Sequence, residues 1–182
     1  MSLRDALHRR RQRMRFERLL APCLDGLYRF ACQLERDPVS AEDLLQQALV
    51  TALDRFDQLR EDAAFRAWVS RIVYRSWQNR RSRRAEVLVL PHELERRRAL
   101  AIGPDAACAD RRLGARISQA LDLLPANQAE AVWLVDGMGL QFSEAAEVLG
   151  VRPGTVASRV ARARAALRAD LIDLAHERGV LR

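Results

Sequence analysis

Three cysteines and three histidines are the residues of this chain best suited to bind a metal, and their spacing argues against it. Cys23, Cys32 and Cys108 form no C-x-x-C pair, and His8, His92 and His176 stand far apart. Zinc sites use ligands at short, repeated intervals, and disulfide frameworks use an even set. The cysteines are therefore expected as small buried apolar residues, and no metal site is assigned. No glycine-rich phosphate loop and no nucleophile paired with a base is evident either. The chain is not read as an enzyme, and no catalytic residue or cofactor is assigned to it.

Cations are what the sequence places at a working interval. Every one of the 31 basic side chains is arginine, against 24 acids, for a net charge of +7. Arginine presents a planar fork of donors that fits phosphate and the guanine edge, although a GC-rich genome produces the same bias without any binding site. Arrangement rather than number therefore distinguishes a binding face. On a helical wheel of the stretch after Pro153, Val156, Val160, Ala163, Leu167 and Leu171 share one face. Thr155, Ser158, Arg159 and Arg162 share another. Gly154, Ala157 and Ala161 border that outward face and are small enough to let the backbone approach a major groove. Arg159 and Arg162 would then reach base edges or phosphates.

The elements that must hold this face are legible from periodicity. A helix is expected from near Arg111 through Leu113, Ile117, Ala120, Leu121 and Leu124, stopping at Pro125 and resuming with Ala129, Val132, Trp133 and Val135. Gly137 and Gly139 mark a turn. A short helix then carries Phe142, Ala145, Ala146 and Leu149, Gly150 ends it, and Pro153 opens the longer helix. The order of short helix, tight turn and longer helix is that of a helix-turn-helix.

A separate helical module precedes it. Leu24, Leu27, Tyr28, Ala31 and Leu34 recur at helical spacing until Asp37-Pro38. Ser40 to Asp43 has the form of a capping box, followed by Leu44, Leu45, Ala48, Leu49, Ala52, Leu53 and Phe56 on one stripe. After a polar loop from Asp57, a third helix turns Phe65, Trp68, Val69, Ile72 and Ser76 inward and ends in the cationic run Arg80 to Arg84. Arg71, Tyr74, Arg75 and Gln78 face away from that stripe. The periodicity fails over 85–110, where Pro91 and Gly103-Pro104 interrupt it, so this segment is read as a flexible linker. The fold class expected is all-α: residues 22–84 form one module and 111–176 the other, with an arginine-rich extension at 1–21 and a short tail at 177–182.

Two stretches of the second module carry a family resemblance: Leu140 to Gly150, and Gly154-Thr-Val-Ala-Ser-Arg-Val-Ala-Arg162-Ala-Arg164. Together with Leu123-Leu-Pro-Ala-Asn-Gln-Ala-Glu130, they resemble region four of the extracytoplasmic-function sigma factors. The first module is similar to region two of the same family through Asp37-Pro-Val-Ser-Ala-Glu-Asp-Leu-Leu-Gln-Gln47, Phe56-Asp57 and Phe65-Arg-Ala-Trp68-Val-Ser-Arg-Ile72. The resemblance implies that Arg152, Pro153, Gly154, Thr155, Ser158, Arg159 and Arg162 contact the upstream (−35) promoter element. It implies that Glu42, Asp43, Gln46 and Gln47 dock on the clamp helices of the polymerase largest subunit, with the flap of the second-largest subunit as a further partner. An anti-sigma factor is also implied. Gln47 stands where the family usually has an acid, Ala157 where a basic residue is common, and Arg75 and Asn79 where asparagine and aspartate are frequent.

A sigma factor must hold one promoter strand unpaired, which requires aromatic platforms for unstacked bases and cations for phosphates. Arg71, Tyr74, Arg75, Trp77, Gln78, Asn79 and Arg80 are the residues expected at the downstream (−10) element, with the loop from Asp57 to Ala64. A helix-turn-helix alone also fits a stand-alone regulator that binds duplex operator DNA as a dimer, but repressors lack the first module. The arginine-studded first twenty residues fit an extra helix, a DNA-facing arm or a disordered segment. They carry no apolar core of a signal peptide, and no apolar run reaches membrane-spanning length, so no direct membrane insertion and a cytoplasmic location are expected.

Overall fold

The computed structural model describes residues 3–35, 37–87 and 120–177. No strand occurs among them; the helices with both ends described are α1 (Leu3–Leu20), α2 (Leu24–Glu35), α3 (Pro38–Asp54), α4 (Phe65–Val87), α5 (Ala126–Val132), α6 (Phe142–Leu149) and α7 (Pro153–Glu177), with short 3-10 and π-helical turns between some of them. Most of the segment read as linker, and with it Cys108 and His92, lies outside the described residues, as do Leu113, Ile117 and residues 178–182. Helix α4 runs on to Val87, past the point where the linker was expected to begin.

Each helix start has a local cause. Asp37, not Ser40, caps α3: its carboxylate accepts from the Ser40 N–H at 2.8 Å, and Pro38 fills the first helical position, where no donor is needed. The same bond holds the Asp37 carboxyl below its usual range. At α6 the Glu144 carboxylate reaches back to the Gln141 N–H at 2.7 Å. Gly150 ends α6 at φ +67°, a left-handed conformation that side chains with a Cβ resist.

The first module packs α2, α3 and α4 around Leu27, Phe30, Leu44, Val69 and Val73, all fully buried. The expected stripes are displaced at their edges: Leu24 and Leu53 lie outward, whereas Phe30 and Ala41 lie inside. Cys23 and Cys32 are buried free thiols, and loss of water around them pushes both pKa values up. In the second module α5 passes into a π-helical turn, Trp133–Gly137. Such a turn winds an extra residue per repeat and rotates the faces that follow, so Leu134, Met138 and Leu140 turn inward although the wheel had not placed them there. Val156, Val160 and Ala163 are buried as expected.

The two modules share one continuous apolar cluster that joins Phe30 and Val73 to Leu134, Met138, Val148 and Val156. Gly26 permits the contact: a Cβ there would stand 2.6 Å from the Met138 sulfur. The Trp133 indole N–H donates to the Gly26 carbonyl at 3.3 Å across the same seam. Helix α1 adds Phe16, which meets Phe56 and Phe65 edge-on with centroids at 5.2 and 5.6 Å.

Leu44 and Leu53 sit on one stripe of α3 by sequence but on opposite sides of its surface in space. Leu44→Ala is expected to cost about 2–5 kcal/mol and Leu53→Ala under about 1 kcal/mol, read from chemical denaturation. Equal losses would show that the burial assigned to Leu44 is wrong.

Candidate nucleic-acid interface

Helix α7 is fixed from behind by Val156 and Val160, which leaves its opposite side to solvent. Arg152, Pro153, Gly154, Ser158 and Arg162 are exposed there, and Thr155 and Arg159 are half-buried. The Ser158 hydroxyl donates to the Thr155 carbonyl at 2.9 Å, and the Arg162 Nε donates to the Ser158 carbonyl at 3.2 Å. These bonds stay within the helix and leave the guanidinium ends facing water. No Cβ neighbour stands near Gly154, so the start of the helix presents bare backbone. Five of the seven residues expected at an upstream element are thus exposed, while Thr155 and Arg159 are partly covered, Arg159 lying close enough to Glu130 and Tyr74 to act on their charge.

The residues expected at a downstream element divide. Arg75, Gln78 and Asn79 are exposed on α4. Tyr74, expected to face outward, is instead 8% exposed, stacked against Phe30 and tilted onto Trp77 at 5.4 Å. Its hydroxyl donates to the Glu130 carboxylate of α5 at 3.2 Å. The reason is the second module: α5 and α6 cover the side of α4 that a single-module wheel leaves open. Arg71 accordingly pairs with Glu147 of α6, and Arg66 donates to the Met138 carbonyl at 2.9 Å. Trp77 packs at the edge of the core, with the Arg81 guanidinium 5.5 Å above its ring.

Glu130 is the functional-looking residue that sequence reasoning missed. A lone acid between Ala129 and the apolar pair Ala131-Val132 is the signal that was available, since buried carboxylates keep a partner. Burial pushes its carboxyl up, against the opposing pull of Tyr74, Arg159 and Arg81. The Tyr74 phenol is pushed up to about 12, first by burial and then by the Glu130 charge, so it remains a donor at neutral pH.

Arg80 turns back into the protein rather than outward. Its Nε donates to the Gln47 side-chain oxygen at 3.1 Å and its Nη1 to the Ser40 carbonyl at 3.3 Å. A residue expected on DNA and one expected on polymerase therefore bind each other, because α3 and α4 are neighbours. Arg84 pairs with the nearly buried Glu35 at 2.9 Å. Glu42, Asp43 and Gln46 are exposed on α3, and the exposed apolar residues Val39, Val50 and Leu53 continue their row at helical spacing.

An accessible cationic helix behind a tight turn, joined to a second all-helical module, defines a two-module helix-turn-helix protein. Comparison narrows this. The sigma-70 region 2 family matches residues 19–87 and the sigma-70 region 4 family residues 114–167. The ECF RNA polymerase sigma factor SigM of Mycobacterium tuberculosis is 34% identical over 89% of this chain and 80% of its own length. SigE of Mycolicibacterium smegmatis, also an ECF RNA polymerase sigma factor, is 35% identical over 84% of this chain, which spans 60% of SigE. The sigma factor RpoE of Bartonella quintana, solved with the anti-sigma factor NepR, superposes with a TM-score of 0.62 at 28% identity, covering 86% of this chain and 96% of RpoE. CnrH, solved with the cytosolic domain of CnrY, superposes at 0.59 and 28% identity, covering 87% of this chain and 88% of CnrH. The chain belongs to the extracytoplasmic-function sigma factors.

The seam between the modules carries a pH dependence. Glu130 titrates above its ordinary value of 4.5 while α5 lies on α4, and returns to it in water. The packed form therefore binds the proton more readily, so packing is strongest below the ordinary value and weakens as pH rises through the raised one. Small-angle scattering should show the radius of gyration growing with pH through that window, and Glu130→Gln should flatten the change. A variant that expands in step with the parent would remove Glu130 from this role.

Proposed function

We propose that this chain acts in the cytoplasm as the non-catalytic specificity subunit of RNA polymerase, directing transcription initiation. The observation that carries the reading is the open face of α7, with Arg152, Ser158 and Arg162 in water and Val156 and Val160 locked behind them. In this reading α7 enters the major groove of the −35 element, where Arg159 and Arg162 reach base edges or phosphates, and Arg152, Pro153, Gly154, Thr155 and Ser158 line the approach. The exposed row of Val39, Glu42, Asp43, Gln46, Val50 and Leu53 fits docking on the clamp helices of the largest subunit. Gln47 belongs to the same face through its bond to Arg80.

Capture of the −10 element falls to α4 and the loop before it. Arg75, Gln78 and Asn79 are accessible as the molecule stands. Arg71 and Trp77 are partly covered and Tyr74 is buried, and all three open further when the second module leaves α4. Lifting it exposes an aromatic pair and a released guanidinium, the equipment needed to hold an unstacked base and its phosphate. Unpairing costs a few kcal/mol per flipped base, and these contacts offset it. The packed arrangement is thus the resting form and the separated one the form that reads a promoter. An anti-sigma factor that bridges both modules would favour the resting form, and the neighbouring RpoE, solved with the anti-sigma factor NepR, supports a partner of that kind.

Purified protein added to core polymerase should yield discrete transcripts from a cognate promoter, and none from a template lacking either element. Arg159→Ala or Arg162→Ala should weaken binding to the upstream duplex by about 1–3 kcal/mol if the residue reads a base. A residue on phosphate should instead lower the salt slope by about one with little loss of sequence preference. Tight, specific duplex binding with no dependence on polymerase would refute the reading.

A further inference from the structure

Helix α1 has no part in the function described so far, yet its last turns are built onto the loop between α3 and α4. We infer that Arg15 and Arg18 of α1 are positioning residues for promoter selectivity, because their joint grip on Asp62 sets the shape in which the 57–64 loop receives an unstacked base. The inference rests on the reading of that loop as part of the −10 site.

The geometry is a two-handed hold. Arg15 places Nε at 2.8 Å and Nη2 at 2.5 Å from Asp62 Oδ1, while Arg18 Nη2 lies 3.1 Å from Oδ2, so both carboxylate oxygens are taken by the same helix. The Arg15 guanidinium also lies 5.1 Å over the Phe56 ring, and Phe16 between the two arginines is buried against Phe56 and Phe65. Phe56 and Phe65 are the two feet of the loop, and Leu59 is its one buried residue between them. Asp57, Gln58, Arg60, Glu61, Ala63 and Ala64 are exposed, which leaves Asp62 as the polar tie of the second half. Asp62 opens the short turn that hands the chain to α4, so its position fixes where the exposed backbone of residues 60–64 stands relative to the helix.

Ion pairs this exposed contribute little to folding. The hold on Asp62 therefore matters for the shape of the loop more than for the stability of the module, and the two roles come apart in experiment. Aromatic anchors keep the helix in place, whereas the arginines decide the register of the loop against it. Water substitutes readily for a lost ion pair in stability, but it does not restore a fixed loop contour.

The test uses holoenzyme reconstituted from full-length chain and core polymerase. The probes are a fork-junction DNA with a single-stranded −10 element, a library of such forks randomised at that element, and a duplex carrying the −35 element alone. Asp62→Asn should lower affinity for the fork by about fivefold or more and flatten base preference across the library. It should leave the thermal midpoint and −35 duplex binding unchanged. Arg15→Gln with Arg18→Gln should do the same, and Arg18→Lys in the parent should retain most of the preference, since one cation still meets the carboxylate. If Asp62→Asn selects the same bases with the same affinity, the inference fails; it also fails if all three DNAs lose affinity equally. A parent holoenzyme with no preference among single-stranded forks would instead bring down the assignment of the −10 site itself.

Discussion

Helix α4 has one circumference and three claims upon it. Phe65, Val69 and Val73 give one side to the core of the first module, and no rearrangement frees them without unfolding it. The side carrying Arg71 and Tyr74 is lent to α5 and α6. A third strip, with Arg75, Gln78 and Asn79, meets water. A helix that must both pack against its own chain and receive a foreign strand can do so only in alternation, and the polar contacts across the seam add little to the apolar cluster that spans it. One hydrogen bond of a buried phenol to a carboxylate and a half-exposed ion pair are together worth a few kcal/mol at most.

The same economy governs charge. On α7 Arg162 lies exposed and Arg164 pairs with Asp136, whereas Arg15, Arg18, Arg71 and Arg84 of α1 and α4 are held by Asp62, Glu147 and Glu35. A strongly basic chain would otherwise repel itself where its helices converge. Acids placed at those points turn surplus cations into fasteners, and the net charge is left concentrated where the helix-turn-helix faces outward.

Most of the helices were legible because period 3.6 burial leaves a strong mark in the sequence, as in the alternation from Val156 to Ala163. What escaped has identifiable causes. The π-helical turn at Trp133–Gly137 breaks the wheel, so no 3.6-residue stripe includes Leu134 or Met138. Asp37 outcompeted Ser40 as the cap because Pro38 already commits the next residue to a helical φ. The site was less legible than the fold. The face of α7 follows from a pattern internal to one helix: Ser158 and Arg162 lie exposed on it, and Thr155 and Arg159 half-buried. Tyr74 and Arg80 were read as outward because their true neighbours, Glu130 and Gln47, lie 56 and 33 positions away in the chain. Single-helix periodicity contains no information about how two modules pack together, and the isolated acid at 130 was the hint of it.

Two indoles border the seam: Trp133 donates across it, and Trp77 lies against the tyrosine that anchors it. Indole emission shifts to the red when the ring passes from protein to solvent. The molecule is therefore fitted with an intrinsic optical gauge, one that registers the parting of its halves without a dye or label. Stopped-flow fluorescence could follow that parting on the time scale at which a polymerase first meets the chain.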